Sequence, residues 1–197
     1  MNPIIHVPYS SEDKLDDRTV EALLPYGDQV RYHFVGSSDT AYWELINELW
    51  HKVEDFIVVE QDIVVRPDVF PSFNSCHYWF CVANYRYNNR YAHLYGGEEN
   101  PGWLGGLGCC RFSHKVMEMV PNAVERAGYL ERFYAGAHPA RHWCALDGAL
   151  KDELRWWGIY ACGNHPTVDH KNVQTSHGCD RLAEPALPGQ IGVLNVR

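Results

Sequence analysis

Two acidic side chains directly follow the most strand-like segment of the sequence. Phe56–Val59 is an unbroken apolar run, and Glu60, Gln61 and Asp62 come next. Acids weaken the interior of a strand, and a carboxylate is costly to bury without a partner. At the end of a strand, however, two acids one residue apart can both reach a divalent cation, since hard cations prefer oxygen ligands. The alternative is a surface turn whose carboxylates are solvated.

A second group of potential metal ligands lies late in the chain. His165, Asp169 and His170 fall within seven residues, just after a short strand predicted over 159–162. Imidazole and carboxylate groups are common ligands of divalent metals. The chain has 11 histidines, so some closeness is expected by chance. A polar loop with titrating surface histidines is therefore the alternative.

One further acid and one glycine-rich stretch are candidates. Asp147 falls in the first turn of a helix predicted over residues 142–157. A carboxylate held there by a rigid element can act as a general base, although the helix dipole also favours an acid with no further role. Gly105, Gly106 and Gly108 allow a ligand to approach the backbone closely, or they belong to an ordinary loop. The stretch does not have the residue order of a P-loop or of the dinucleotide-binding fingerprint.

The elements that must position these residues alternate between strand and helix. Apolar patterns predict strands near residues 3–9, 30–35 and 56–59, and a 3.6-residue period predicts a helix over 40–53. The order predicts an α/β domain with a mostly parallel central sheet and helices on both faces. Ligands bind beyond the carboxyl ends of such strands, where Tyr9 and Ser10 follow the first strand and Glu60 to Asp62 follow the third.

Composition limits the classes of function. The chain has 197 residues and a net charge of −8, which argues for one domain and against broad binding to nucleic-acid backbone. Its seven cysteines include no C-x-x-C pair, so a zinc knuckle or a disulfide framework is poorly supported. The sequence shows no signal peptide and no apolar run of membrane-spanning length. We therefore expect a cytoplasmic protein with reduced cysteines that does not enter a membrane.

Taken in order, these features resemble the GT-A-fold glycosyltransferases, in particular the small enzymes encoded by bacteriophages. The resemblance rests on a first strand with a polar loop, the acid-x-acid triplet, the glycine stretch leading into Arg-Phe-Ser, the Leu-Asp helix and the late histidine, and it covers roughly residues 3–172. It implies a nucleotide-sugar half at about 1–70, an acceptor and catalytic half at about 71–175, and a tail at 176–197. The host cytoplasm would be the location if the chain is phage-encoded.

The resemblance also implies a role for each candidate residue. Asp62 takes the position of the ligand to Mn²⁺ or Mg²⁺, with His170, and then His165, as the matching histidine. Glu60 takes the position that faces ribose or metal, and Asp147 takes that of the catalytic base. Gln61 and Gly106 would line the donor site, to which the segment 8–11 contributes Pro8, Tyr9 and Ser10. The family triplet begins with Asp, so Glu60 lengthens one arm of the site.

The implied activity is transfer of a hexose or pentose from a nucleotide sugar, with a UDP-sugar favoured, to an acceptor hydroxyl. Attack assisted by Asp147 would invert the anomeric centre, and a retaining course is expected if no base lies near the acceptor. The acceptor is a hydroxymethylated DNA base, a glycan or a protein. A DNA acceptor would favour a local basic patch, for which the candidates are Arg86, Arg90, Arg111, Arg132 and Arg141.

Two other classes of function fit some of the same residues. A metal-dependent hydrolase or nuclease would use Asp62, Asp147, His165 and His170. A non-enzymatic carbohydrate- or nucleic-acid-binding module would instead use the aromatic residues between 77 and 103.

Overall fold

The computed structural model describes residues 2–36, 38, 40–84, 86–87, 90–91, 107–130 and 146–170. The helices in these ranges are α1 Asp17–Leu23, α2 Ala41–Lys52, α3 Val69–Ser75, α4 His114–Met119, α5 Ala123–Leu130 and α6 Leu146–Trp156. The strands are β1 Ile4–Tyr9, β2 Val30–Phe34, β3 Phe56–Val59, β4 Ile63–Val64, β5 Phe80–Val82, β6 Arg86–Tyr87, β7 Arg90–Tyr91, β8 Cys109–Phe112 and β9 Asp169–His170.

Five strands form the central sheet, in the order β2-β1-β3-β8-β5. Strand β1 pairs in parallel with both β2 and β3. Strand β8 runs antiparallel to β3 on one side and to β5 on the other. Four of the five strands thus run in one direction, which confirms the expected mixed α/β class with a mostly parallel sheet, and β8 is the exception.

The two faces of the sheet carry separate apolar cores. Phe56 and Val58 of β3 pack into a core shared with α2, α4, α5 and α6. Ile57 and Val59 point the other way, into a core shared with α1 and α3. Side chains alternate across a strand, so only a strand that is covered on both faces needs an unbroken apolar run. The helices on both faces are therefore as predicted.

The helix boundaries follow local signals. The apolar side of α2 is buried through Tyr42, Leu45 and Trp50 among others, and the helix ends at Val53, whose φ of 54° is left-handed. Ser113 caps α4 by accepting a hydrogen bond from the backbone N–H of Lys115. Gly158, with φ of 73°, follows α6 and has the conformation that glycine adopts without a steric penalty.

Two details differ from the sequence-based expectation. A helix, α1, separates β1 from β2, so the chain begins β, α, β, α, β. The strand predicted over 159–162 is reduced to a single bridge between Cys81 and Cys162. The first residues of the helix predicted over 142–157, and the tail at 176–197, lie outside the described residues. None of the described helices is both long and apolar enough to cross a membrane.

Candidate functional site

Glu60 and Asp147 meet at the carboxyl end of β3. The backbone N–H of Glu60, the residue after the strand, donates to the carbonyl of Gly108 at 2.8 Å. The backbone N–H of the neighbouring Leu107 hydrogen-bonds the carboxylate of Asp147 at the start of α6. Residues 107–108 therefore join two acids that lie far apart in the sequence.

Glu60, Asp62 and Asp147 form what we call the carboxylate cluster. Burial, followed by the charges of Asp147 and Asp62, raises the pKa of Glu60 to about 8. Burial also raises the pKa of Asp147 to about 6, against the opposing effect of its backbone hydrogen bonds. The hydroxyl of Tyr42 donates to Glu60 Oε1 at 3.0 Å. A buried Glu60 that two neighbouring acids repel favours either its own protonation or a bound cation.

The late histidine lies beside the triplet. Strand β4 pairs antiparallel with β9, and Ile63 is opposite His170. This pairing sets His170 Nε2 at 3.4 Å from Asp62 Oδ2, with side-chain exposures of only 9% and 14%. The solvated surface turn and the surface histidine, the alternatives considered for these two residues, do not describe this environment.

Gln61 fixes the loop that follows β1. Its Oε1 accepts a hydrogen bond from the backbone N–H of Ser10 at 2.8 Å and lies 3.3 Å from the Ser10 hydroxyl. Its carbonyl accepts from the N–H of Asp16 at 2.9 Å. The predicted donor-binding segment and the acidic triplet are therefore neighbours. Pro8 lies within β1 itself, opposite His33 of β2.

An aromatic pair borders this loop. The rings of Tyr9 and Phe34 lie 5.5 Å apart at the carboxyl ends of β1 and β2. Phe34 is 68% exposed, which is unusual for a large apolar side chain. Sequence analysis missed Phe34, although an aromatic residue at the end of the second predicted strand is a signal that could have identified it.

Lys151 was also missed. It lies one helical turn after Asp147 in α6, and burial and the charge of Arg155 lower its pKa, while Asp147 opposes that shift. Residues at positions i and i+4 face each other on a helix, so the spacing of Asp147 and Lys151 was the available signal. A cation is thus already present beside the carboxylate cluster.

His165 lies in a different environment from Asp62 and His170. Its Nδ1 is 2.8 Å from Ser72 Oγ, and its ring packs edge-on against Phe73 with centroids 4.8 Å apart. One ligand atom from each of Cys76, Cys162 and His165 lies within 4.8 Å of the others. Within the described ranges, this is the only triad of His, Cys, Asp or Glu that is so closely spaced. The spacing contains no C-x-x-C signal, because Cys76 lies far along the chain from Cys162 and His165.

The remaining candidates have different outcomes. Arg111 is buried and donates to the carbonyls of Phe73 and Tyr78, each at 2.6 Å, so it holds the fold together and is not part of an exposed basic patch. Arg86 and Arg90 belong to the β6–β7 hairpin. Gly105, Gly106, Arg132 and Arg141 lie outside the described residues.

Comparison with known proteins adds no relative from which a role could be transferred. No protein-family model matches the chain, and neither does any curated protein or solved structure. What bears on function is therefore the chemistry of the carboxylate cluster and its neighbours.

Proposed function

We propose that the protein is a metal-dependent glycosyltransferase of GT-A type that uses a nucleotide-sugar donor, with a UDP-sugar favoured. The observation that carries the proposal is the carboxylate cluster at the carboxyl end of β3, with His170 beside Asp62 and Gln61 bonded to the loop after β1. Ligands of open α/β sheets bind at this edge. The GT-A assignment itself comes from the sequence resemblance.

The donor atoms suit Mn²⁺ or Mg²⁺. Asp62 and His170 would hold the ion, with Glu60 as a further oxygen donor, and carboxylate with imidazole matches these metals better than soft ones. Few protein ligands are needed, because such ions are commonly bound by one or two carboxylates together with substrate phosphates. The bound cation would stabilise the negative charge on the departing diphosphate.

Asp147 is the proposed general base. Hydrogen bonding from Leu107 orients its carboxylate, and burial brings its pKa to about 6, nearer to neutral pH than an ordinary aspartate. A base of this strength is still ionised at neutral pH and accepts a proton more readily than one of lower pKa. It would take the proton of the acceptor hydroxyl as that oxygen attacks the anomeric carbon, which inverts the centre.

Three side chains around the cluster would recognise the donor. Tyr9 and Phe34 offer an aromatic surface on which a nucleobase can stack. Glu60, held by Tyr42, has a raised pKa that leaves it protonated near neutral pH until a cation binds. Once a cation is bound, the ionised Glu60 can accept a hydrogen bond from a ribose hydroxyl.

The acceptor remains a DNA base, a glycan or a protein. The net charge of −8 and the buried position of Arg111 weigh against a wide DNA-binding surface. The hydrolase alternative used a site made of Asp62, Asp147, His165 and His170. The grouping of His165 with two cysteines, and not with the other three residues, weakens that alternative. Cleavage of a substrate without any donor is its distinguishing outcome.

A matched pair of substitutions tests the proposal. Asp62→Asn removes one charge from the cluster, and Asp68→Asn removes the same charge from an exposed acid before α3. We expect nucleotide sugars with Mn²⁺ to raise the melting temperature of the wild type and of Asp68→Asn, but not of Asp62→Asn. Release of UDP from a donor panel should follow the same order.

Three results would count against the proposal. One is the absence of any stabilisation by nucleotide sugars with metal. Another is sugar transfer that persists undiminished in excess chelator. A third is ligand binding by Asp62→Asn equal to that of the wild type, which would favour the non-enzymatic binding module.

A further inference from the structure

Cys76, Cys162 and His165 come together at the edge of the sheet beside β5. Cys76 is the residue that follows α3. Cys162 is tied to β5 by two backbone hydrogen bonds, from Val82 N–H to its carbonyl and from its own N–H to the carbonyl of Phe80, each at 2.9 Å. His165 comes three residues later and packs on α3 through Phe73. The site therefore lies where the chain segment 162–170 crosses both the sheet and α3.

The His165 imidazole has the arrangement expected of a metal ligand. Its Nδ1 is held by the Ser72 hydroxyl at 2.8 Å, while its Nε2 is buried and has no hydrogen-bond partner. A buried polar nitrogen without a partner is costly. Histidines that bind metals usually hydrogen-bond through the second ring nitrogen, which fixes the ring.

We propose that Cys76, Cys162 and His165 form a binding site for a thiophilic divalent metal, with Zn²⁺ as the expected ion. Two sulfurs and one imidazole nitrogen are ligands that zinc prefers. Tetrahedral zinc bonds place such atoms about 3.5–3.8 Å apart, so the observed limit of 4.8 Å requires only small side-chain rotations. The fourth position is open to water or another ligand.

The charges near the site are compatible with a metal–thiolate centre. Two thiolates cancel the charge of Zn²⁺, and binding releases the two thiol protons to solvent. Burial raises the pKa of the Cys162 thiol, and the positive charge of Arg111 acts against that shift, so a bound cation would be needed to complete the ionisation. Both cysteines are free thiols and partly exposed, so an ion can reach them.

The metal would also act on the carboxylate cluster through the chain. The segment that carries Cys162 and His165 continues into β9, which sets His170 beside Asp62. The Val168 N–H donates to Asn84 at 2.8 Å, and the Asn84 amide donates to Gly163 at 3.1 Å, so the segment is bonded along its length. A metal bound by Cys162 and His165 would therefore fix the start of this segment and help to hold His170 in place. This consequence rests on the proposed function, but the metal site itself does not.

Cobalt binding tests the site directly. Reduced, metal-free full-length protein is titrated with Co²⁺, whose bonds to thiolates give a charge-transfer band in the near ultraviolet. We expect one thiolate-bound Co²⁺ per chain, displaced by Zn²⁺, and loss of the band in Cys76→Ser, Cys162→Ser and His165→Ala. Cys109→Ala, which removes a buried thiol outside the group, and Asp62→Asn, which alters the carboxylate cluster, should both keep it.

Ser72 provides a subtler test, as a positioning residue. Ser72→Ala should weaken metal affinity about 10–100-fold, as is typical for loss of a partner to a ligating histidine. Ser72→Thr keeps the hydroxyl and should restore affinity. Circular dichroism of each variant separates loss of the site from loss of the fold.

The proposal is overturned if reduced, folded wild-type protein gives no thiolate band. It is also overturned if the band survives in Cys162→Ser and His165→Ala alike, or if Cys76 and Cys162 are found joined as a disulfide under reducing conditions. Failure of sugar transfer with an intact cobalt band would refute the proposed function alone.

Discussion

The part of the chain that the structure describes has two clusters of potential metal ligands, and they differ in both chemistry and origin. The carboxylate cluster offers hard oxygen donors, and two of its acids are separated by one residue. The cysteine–histidine site offers soft sulfur and imidazole donors from two distant segments, one with Cys76 and one with Cys162 and His165. Hard donors suit Mg²⁺ or Mn²⁺ at a site that meets phosphates, whereas thiolates suit Zn²⁺. Under the two proposals, the chain would hold a labile ion for chemistry and a tighter ion for structure.

The largest effect should come from Asp147. We expect Asp147→Asn to lower the rate constant of sugar transfer about 10²–10⁴-fold, because a positioned base typically contributes that much. The cobalt–thiolate band should be unchanged, which would separate the two clusters. Steady-state kinetics over a range of donor and acceptor concentrations measure the effect. Asp152→Asn, on the same helix, is the control, and equal activity in both variants would remove Asp147 from the mechanism.

Arg111, which lies near the cysteine–histidine site, tests how far two buried hydrogen bonds stabilise the surrounding fold. Arg111→Met leaves the carbonyls of Phe73 and Tyr78 without their donor, and we expect it to lower the free energy of unfolding by about 2–4 kcal/mol. Urea denaturation measures the change. Arg66→Met, at an exposed arginine, should be nearly neutral. A small effect at Arg111 would show that these two hydrogen bonds do not support the fold.

Glu60 should make the metal-free protein less stable as pH rises. Its pKa is raised to about 8 in the folded state, so the folded protein binds more protons than the unfolded chain between about pH 4.5 and 8. This stability is present at low pH and is lost as pH rises through 8. With chelator at pH 8, the free energy of unfolding of Glu60→Gln should exceed that of the wild type by about 1–3 kcal/mol. The difference should disappear near pH 5.

Mn²⁺ sharpens the same measurement. A cation at the carboxylate cluster should offset the repulsion between the acids and restore the stability of the wild type at pH 8. It should have much less effect on the stability of Glu60→Gln. Thermal unfolding across pH, with and without the ion, measures both quantities. The difference in free energy of unfolding between Glu60→Gln and the wild type should be larger at pH 8 than at pH 5. An equal difference at the two pH values would contradict the electrostatic description of this cluster.

The smallest expected effect lies outside both clusters and has the opposite sign. Burial, His33 and the nearby Lys52 and Arg31 lower the pKa of His6 to about 4, with only Glu48 opposing. The unfolded chain therefore binds more protons between about pH 6.5 and 4, and stability is lost as pH falls through that window. In His6→Gln, the loss of unfolding free energy between pH 7 and pH 4.5 should be about 1–2 kcal/mol smaller than in the wild type. Urea denaturation at the two pH values measures it. An equal loss of stability at low pH in His6→Gln and in the wild type would exclude His6 as the cause of that loss.

Periodic and adjacent features were the predictable part of this protein. The helix over 40–53 and the strand at 56–59 follow from apolar spacing, since burial on one side or on both sides leaves a characteristic pattern. The closeness of Glu60 and Asp62 follows from their adjacency. The direction of β8 was not predicted, because the pattern of a four-residue strand is the same in either direction. The grouping of Cys76 with Cys162 was also missed, because no local spacing records a contact between distant segments.

The sequence by itself determined that the chain forms an α/β domain with acids at the end of a buried strand, because alternation, periodicity and adjacency are local properties. Only the tertiary structure decided which distant side chains meet. The hydrogen bonds of residues 107–108 bring Asp147 to Glu60, and the pairing of β4 with β9 brings His170 to Asp62. The packing of His165 on α3 takes it to two cysteines. The physical reason is that strand pairing and helix packing join residues far apart in the chain, and those contacts depend on the whole fold.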